Sequence, residues 1–78
     1  MGSIKPVHYR DLCKVFEREG WTFIRQKGDH MIYKKAGALR AVVIPRWKSI
    51  PQFVILNNLH TANISRERYF ELIAKTHA

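Results

Sequence analysis

The sequence predicts an α+β fold of order α-β-β-β-α-α, a three-stranded antiparallel sheet with helices packed on one face. Three observations carry this. Apolar residues recur at helical spacing towards both ends of the chain. Between them lie three short strand-like runs, the first two separated only by Gly28-Asp29. Hydrophobic residues fill 46% of the 78 positions, enough for a packed core and too many for a disordered tail.

The first helix is expected from about His8 to Glu19. Tyr9, Leu12, Cys13 and Phe16 fall at i, i+3, i+4 and i+7 on one face, with Arg10, Lys14, Glu17 and Arg18 largely opposite. Gly20 supplies a left-handed stop, and Trp21 is then placed to fold back on Phe16. Cys13, on the apolar face, reads as a small buried hydrophobe and not as a nucleophile.

Thr22 to Lys27 and His30 to Lys35 are expected as strands joined by a tight Gly-Asp hairpin, because glycine accepts the positive φ of such a turn. With a two-residue loop, Lys27 opposes His30, Arg25 opposes Ile32, and Phe23 opposes Lys34. Opposed residues project to the same face. His30, Lys27, Arg25 and Lys34 are therefore expected on one side, and Ile24, Met31 and Tyr33 on the other. A third strand is expected from about Leu39 to Ile44, ending at Pro45, which cannot donate to a ladder.

Ser49 with Gln52 fits a capping box that opens the second helix. That helix carries Phe53-Val54-Ile55-Leu56 and should end between Asn57 and Thr61. Four neighbouring apolar side chains exceed what one helical face buries, and the third helix is expected to cover the excess. Ser65 reads as its N-cap, with Glu67 in the first turn and Tyr69, Leu72 and Ile73 at helical spacing.

Fourteen Lys and Arg against six Asp and Glu give a net charge of +8, which favours a polyanionic partner such as nucleic acid or an acidic protein. The single cysteine cannot form an internal disulfide and fits a reducing compartment. No apolar run is long enough to span a bilayer, and no signal-peptide pattern appears. Pro6 stands where myristoylation at Met1-Gly2 calls for Ser or Thr. These features predict a cytoplasmic protein with one domain over residues 1–78.

None of the four histidines has a second His or Cys at metal-ligand spacing, so no metal site and no cofactor are expected. No Ser-His-Asp signature, phosphate loop or dinucleotide fingerprint appears. The remaining candidate is His30, directly after the hairpin turn and among cations. Imidazole exchanges a proton near neutral pH, and RNA carries its own nucleophile in the 2′-hydroxyl. A protein needs only to move a proton and to stabilise charge at phosphorus with cations. Lys27, Arg25 and Lys34 are candidates for the latter, and Arg46 and Lys48 are candidate phosphate contacts beyond the hairpin. Read from spacing alone, a histidine at a strand start is more often an ordinary surface residue.

The run Gly20-Trp21, then Phe23-Ile24-Arg25-Gln26-Lys27-Gly28-Asp29-His30-Met31-Ile32-Tyr33, followed by Val42-Val43-Ile44-Pro45, resembles the HicA-type toxins of bacterial toxin–antitoxin systems. The resemblance continues through Pro51 to Ser65. It implies a fold similar to double-stranded-RNA-binding domains, endoribonuclease activity on mRNA, and neutralisation by a HicB-type antitoxin. It also places the family's catalytic histidine on His30 and its turn glycine on Gly28. The sequence departs from the family in two places: Asp29 stands where many members carry a small residue, and Trp47 with Ile50-Pro51-Gln52-Phe53 replaces a more polar connection.

Two other readings compete. One is a noncatalytic RNA-binding module; against duplex RNA, Gln52 to Leu59 contains no Lys or Arg with which to grip phosphates. The other is a basic domain that docks an acidic partner. Trp47, between Arg46 and Lys48, could stack on an unpaired base, but packing against the core is the expectation.

Overall fold

The computed structural model describes residues 3–77, so Met1-Gly2, with the myristoylation question they raise, lie outside the described residues. The order is α1 (Tyr9–Arg18), β1 (Thr22–Lys27), β2 (His30–Lys34), β3 (Val42–Pro45), α2 (Gln52–Ala62) and α3 (Arg66–Thr76). The strands form one antiparallel sheet of order β1-β2-β3, as the sequence predicts.

Helix α1 buries Leu12, Cys13, Val15 and Phe16 and exposes Arg10, Lys14, Glu17 and Arg18. Its end is a Schellman motif. Gly20, at φ +91°, donates to the Glu17 carbonyl at 3.1 Å, and Trp21 donates to the Phe16 carbonyl at 3.0 Å. The Trp21 indole then meets the Phe16 ring edge-on at 6.1 Å, the contact expected from the sequence. Burial pushes the Cys13 thiol pKa up, in keeping with a packing role.

The hairpin register matches expectation at its tip, where Lys27 pairs with His30 and Arg25 with Ile32. It departs further along. A β-bulge between Phe23 and Arg25 leaves Ile24 as the extra residue, so Phe23 opposes Tyr33 and Thr22 opposes Lys34. The expected pairing of Phe23 with Lys34 and the expected placement of Ile24 on the side of Met31 and Tyr33 are therefore both corrected. The bulge brings the Phe23 ring edge-on to buried Tyr33 at 5.7 Å and leaves Ile24 exposed.

Strand β3 begins at Val42, three residues later than expected. Gly37 turns at φ +85°, and Leu39 stands fully exposed in the connection. Pro45 is tolerated opposite His30 because β3 is an edge strand. The capping box is also corrected: Pro51 is the N-cap of α2 and makes no side-chain cap bond. The cause is Ile50, fully buried and bridged to Val7 by hydrogen bonds of 3.2 and 2.7 Å, which holds the chain extended past Ser49. Helix α2 runs one residue past its expected end, to a left-handed Asn63 at φ +57°. It buries Ile55 and Leu59, but α3 leaves Phe53 66% exposed.

Helix α3 starts at the expected cap, with Ser65 Oγ accepting from the Arg68 amide at 3.0 Å. Arg68 reaches back to Glu19 Oε1 with contacts of 2.7 and 3.0 Å, fastening α3 to the end of α1. The core lies between helices and sheet: Leu12, Val15 and Phe16 meet Tyr33, Val42 and Ile44, closed by Ile50, Ile55, Tyr69 and Leu72. Side chains alternate along a strand, so Tyr33, Val42 and Ile44 line this inner face. His30, Ile32, Lys34 and Val43 are left on the outer one.

Candidate active site at the hairpin tip

The tip of β1 and β2 is held from several directions. Gly28 takes φ +61°, and Gln26 Nε2 donates to the Gly28 carbonyl at 2.9 Å. The Arg46 amide donates to the Asp29 carbonyl at 2.6 Å, fixing the exit of β3 against the turn. His30 follows with its side chain 55% exposed. The imidazole is thus presented by a rigid frame and remains open to solvent.

Asp29 bridges two neighbours. Its Oδ2 accepts from the Trp47 indole N–H at 3.2 Å, while Oδ1 lies 3.7 Å from His30 Nδ1. Asp29 thus lies on the Nδ1 side of the ring, too far for a hydrogen bond, and the Nε2 side is clear of it. The expectation that Trp47 packs in the core is corrected: it is 42% exposed. Asp29 gives the indole N–H its partner at the surface, and Ile50 takes the core position in this connection.

A second cluster stands behind Trp47, whose carbonyl accepts from the Tyr9 amide at 3.1 Å. Arg46 Nε donates to the Tyr9 hydroxyl at 3.1 Å, and its guanidinium lies 5.6 Å from the ring centroid. Arg10 lies over the same ring at 5.9 Å, and His8 stacks on it at 4.7 Å. His8 also caps α1, its Nδ1 accepting from the Arg10 amide at 3.1 Å. The hydrogen bond from Arg46, and then that from Arg10, lowers the Tyr9 pKa by stabilising the phenolate.

The candidates from the sequence therefore divide. Lys27 stands directly across from His30, and Arg25 follows two residues along the same face. Arg46 joins the tip through its backbone, with its side chain committed to Tyr9. Lys34 shares the outer face but lies four residues from His30, about 13 Å along the strand. Lys48 is exposed in the connection to Ile50. Sequence reasoning missed His8, Tyr9 and the Asp29–Trp47 link. The Tyr9–Arg46 and Asp29–Trp47 links span 37 and 18 residues, so no local spacing announces them, and His8 joins only through its neighbours Tyr9 and Arg10.

Among the described residues, no three His, Cys, Asp or Glu side chains gather as metal ligands, and no helix is long and apolar enough to cross a membrane. The geometry offers a solvent-open imidazole nitrogen for proton transfer, with cations alongside for an anion. Residues 9–64, more than half of the chain, match the family model described as HicA toxin of bacterial toxin-antitoxin. No curated protein matches the chain.

Proposed function

The chain belongs to the HicA toxin family of bacterial toxin–antitoxin systems, and from that premise we propose that it is an endoribonuclease cleaving mRNA with His30 as a general acid or base. The observation that carries this reading is the half-exposed His30 imidazole beside Lys27, with Asp29 on its Nδ1 side.

The chemistry follows from RNA itself. The 2′-oxygen attacks the adjacent phosphorus, its proton leaves, and the P–O5′ bond breaks as the 5′-oxygen takes up a proton. His30 Nε2 serves one of these two transfers, a contribution of about 10²–10⁴-fold. Lys27 and Arg25 hold the scissile phosphate and offset the charge that builds on its oxygens. The nucleophile is internal to the substrate, so no metal-activated water is required. Gly28 shapes the turn that presents His30. Arg46 and Lys48 steer the strand towards the tip, and Lys34 serves a phosphate further along it.

A HicB-type antitoxin is the partner that silences this site. The outer face suits it: Arg25, Lys27 and Lys34 attract acidic groups, while exposed Ile24 and Val43 supply apolar contact. A purely duplex-binding module is disfavoured, since α2 carries no Lys or Arg from Gln52 to Ala62.

The test is RNA integrity and growth after induced expression of wild type and His30→Ala in cells. Cleaved transcripts and arrest with the wild type alone support the proposal. A folded His30→Ala protein that remains toxic removes His30 from the chemistry. Intact RNA with folded wild type refutes the nuclease reading.

A further inference from the structure

A concavity of about 680 Å³ lies away from the hairpin tip, between the β2–β3 connection and the end of α2. We propose that this cleft is a second RNA subsite, which takes an unpaired nucleotide some distance along the strand from the scissile phosphate. The inference rests on the RNA reading above and adds a place and a preference to it.

The walls of the cleft differ in chemistry. One is cationic: Lys35 and Arg40 line it, and none of the lining residues is acidic. The Lys35 ammonium lies over Gly20, 3.8 Å from where a Cβ would stand, an ordinary van der Waals distance. The opposite wall is the last turn of α2. There the Leu59 and His60 carbonyls are taken by the Ile64 and Asn63 amides, whereas no described hydrogen bond outside the helix reaches those of Thr61 and Ala62. Helix-end carbonyls accept hydrogen bonds and carry the negative end of the dipole.

Trp21 lies at the cleft beneath these walls, and Leu39 is a fully exposed leucine at its rim. A nucleotide fits this division. Its phosphate meets Lys35 and Arg40, its base lies against Leu39, and an exocyclic amino group donates to the α2 carbonyls. Adenine, cytosine and guanine carry that donor, and uracil does not. A free carboxylate or phosphate alone leaves the carbonyl wall and Leu39 unused.

The position also fits a single strand. Lys35 lies five residues along the chain from His30, about 17 Å at the rise of a β-strand. Lys34, on the outer face with His30, stands within that interval. A strand gripped at both ends spans several nucleotides, so a dinucleotide at the tip cannot reach the cleft.

The experiment uses the ¹⁵N-labelled full chain and follows backbone amide shifts on titration with 2′-O-methyl octa-adenylate, in which the nucleophile is blocked. The 2′-O-methyl octa-uridylate and the adenylate dinucleotide are the comparisons. Octa-adenylate should shift amides at 27–30 and also at 35–41 and 60–63. The dinucleotide should shift the tip alone, and octa-uridylate should bind more weakly at the cleft. A Lys35→Ala/Arg40→Ala variant should lower the salt dependence of octa-adenylate affinity by about 1.4 log units per log unit of salt, ~0.7 for each cation removed from a phosphate.

Shifts confined to the tip, or a variant that binds as wild type does, overturn the subsite and leave the nuclease reading intact. Shifts at the cleft without the tip support the subsite and count against His30 as the cleavage centre. No shifts anywhere overturn both.

Discussion

Tyr33 links the central strand to α1, and Tyr33→Phe tests how strongly. The side chain is 1% exposed, and its hydroxyl donates to Glu17 Oε2 at 2.9 Å. Replacement by Phe keeps the ring against Phe23 and the core, so it opens only a hydroxyl-sized gap. What is lost is one hydrogen bond to a charged acceptor, worth about 1.5–3 kcal/mol. Glu17 is exposed and water can take over the vacated carboxylate, which selects the lower end, about 1.5 kcal/mol. For a domain of this size that corresponds to a fall in Tm of about 6–12 °C. Urea denaturation followed by circular dichroism should show a lower midpoint at unchanged slope. In a Glu17→Gln background the cost of Tyr33→Phe should shrink, because the charge that strengthens the bond is gone. A Tyr33→Phe protein as stable as wild type, or an undiminished loss in the Glu17→Gln background, would refute the reasoning. In the first case burial of the hydroxyl would cancel the bond it makes.

Three further outcomes are expected. Gly28→Ala should cost about 1 kcal/mol in denaturant midpoint, because φ is +61° while nothing lies within 4 Å of an added Cβ, so the penalty is purely backbone. Gly28→Asn should recover most of it, since asparagine tolerates the left-handed region. At high pH the protein should lose stability. Burial, and then the charge of Asp11, pushes the Tyr69 pKa up to about 12, and burial drives that of Tyr33 upward as well. A raised folded pKa means stability fully present below the unfolded value near 10 and lost as pH rises towards 12, about 2–3 kcal/mol from Tyr69. Tyrosinate absorbance should therefore show Tyr9, lowered by Arg46, ionising first with the fold intact, and the other two only with unfolding. Finally, with Arg25, Lys27 and Lys34 as phosphate contacts at the hairpin and Lys35 and Arg40 at the cleft, log affinity for octa-adenylate should fall against log salt with a slope of about −3.5. A flat response in a binding titration would point to a protein ligand in place of RNA.

The hairpin tip is legible in the sequence because its determinants are local. A two-residue Gly-Asp loop leaves Lys27 and His30 as the first pair, and no distant contact is needed to put them side by side. The Gly20-Trp21 helix ending is legible for the same reason: every partner lies within six residues. Ile24 is misplaced by sequence pattern because alternation assumes an unbroken ladder. The bulge exchanges its place with that of Phe23, and the gain, contact with Tyr33, depends on burial by helices outside the hairpin.

Sequence alone determined the order of elements, the sign of the surface charge, the caps at Gly20 and Ser65, and the register around His30. Each follows from periodicity, composition or chemistry acting over a few residues. Tertiary structure alone decided what surrounds the imidazole. Trp47 holds Asp29 beside His30, and Arg46 reaches Tyr9 behind Trp47, because α1, the hairpin and the chain leaving β3 converge there. The cleft beside α2 has the same origin, since Lys35 and Arg40 meet the helix-end carbonyls only once the sheet is packed. Such contacts close chain segments of tens of residues, and only the collective burial of the core holds them together.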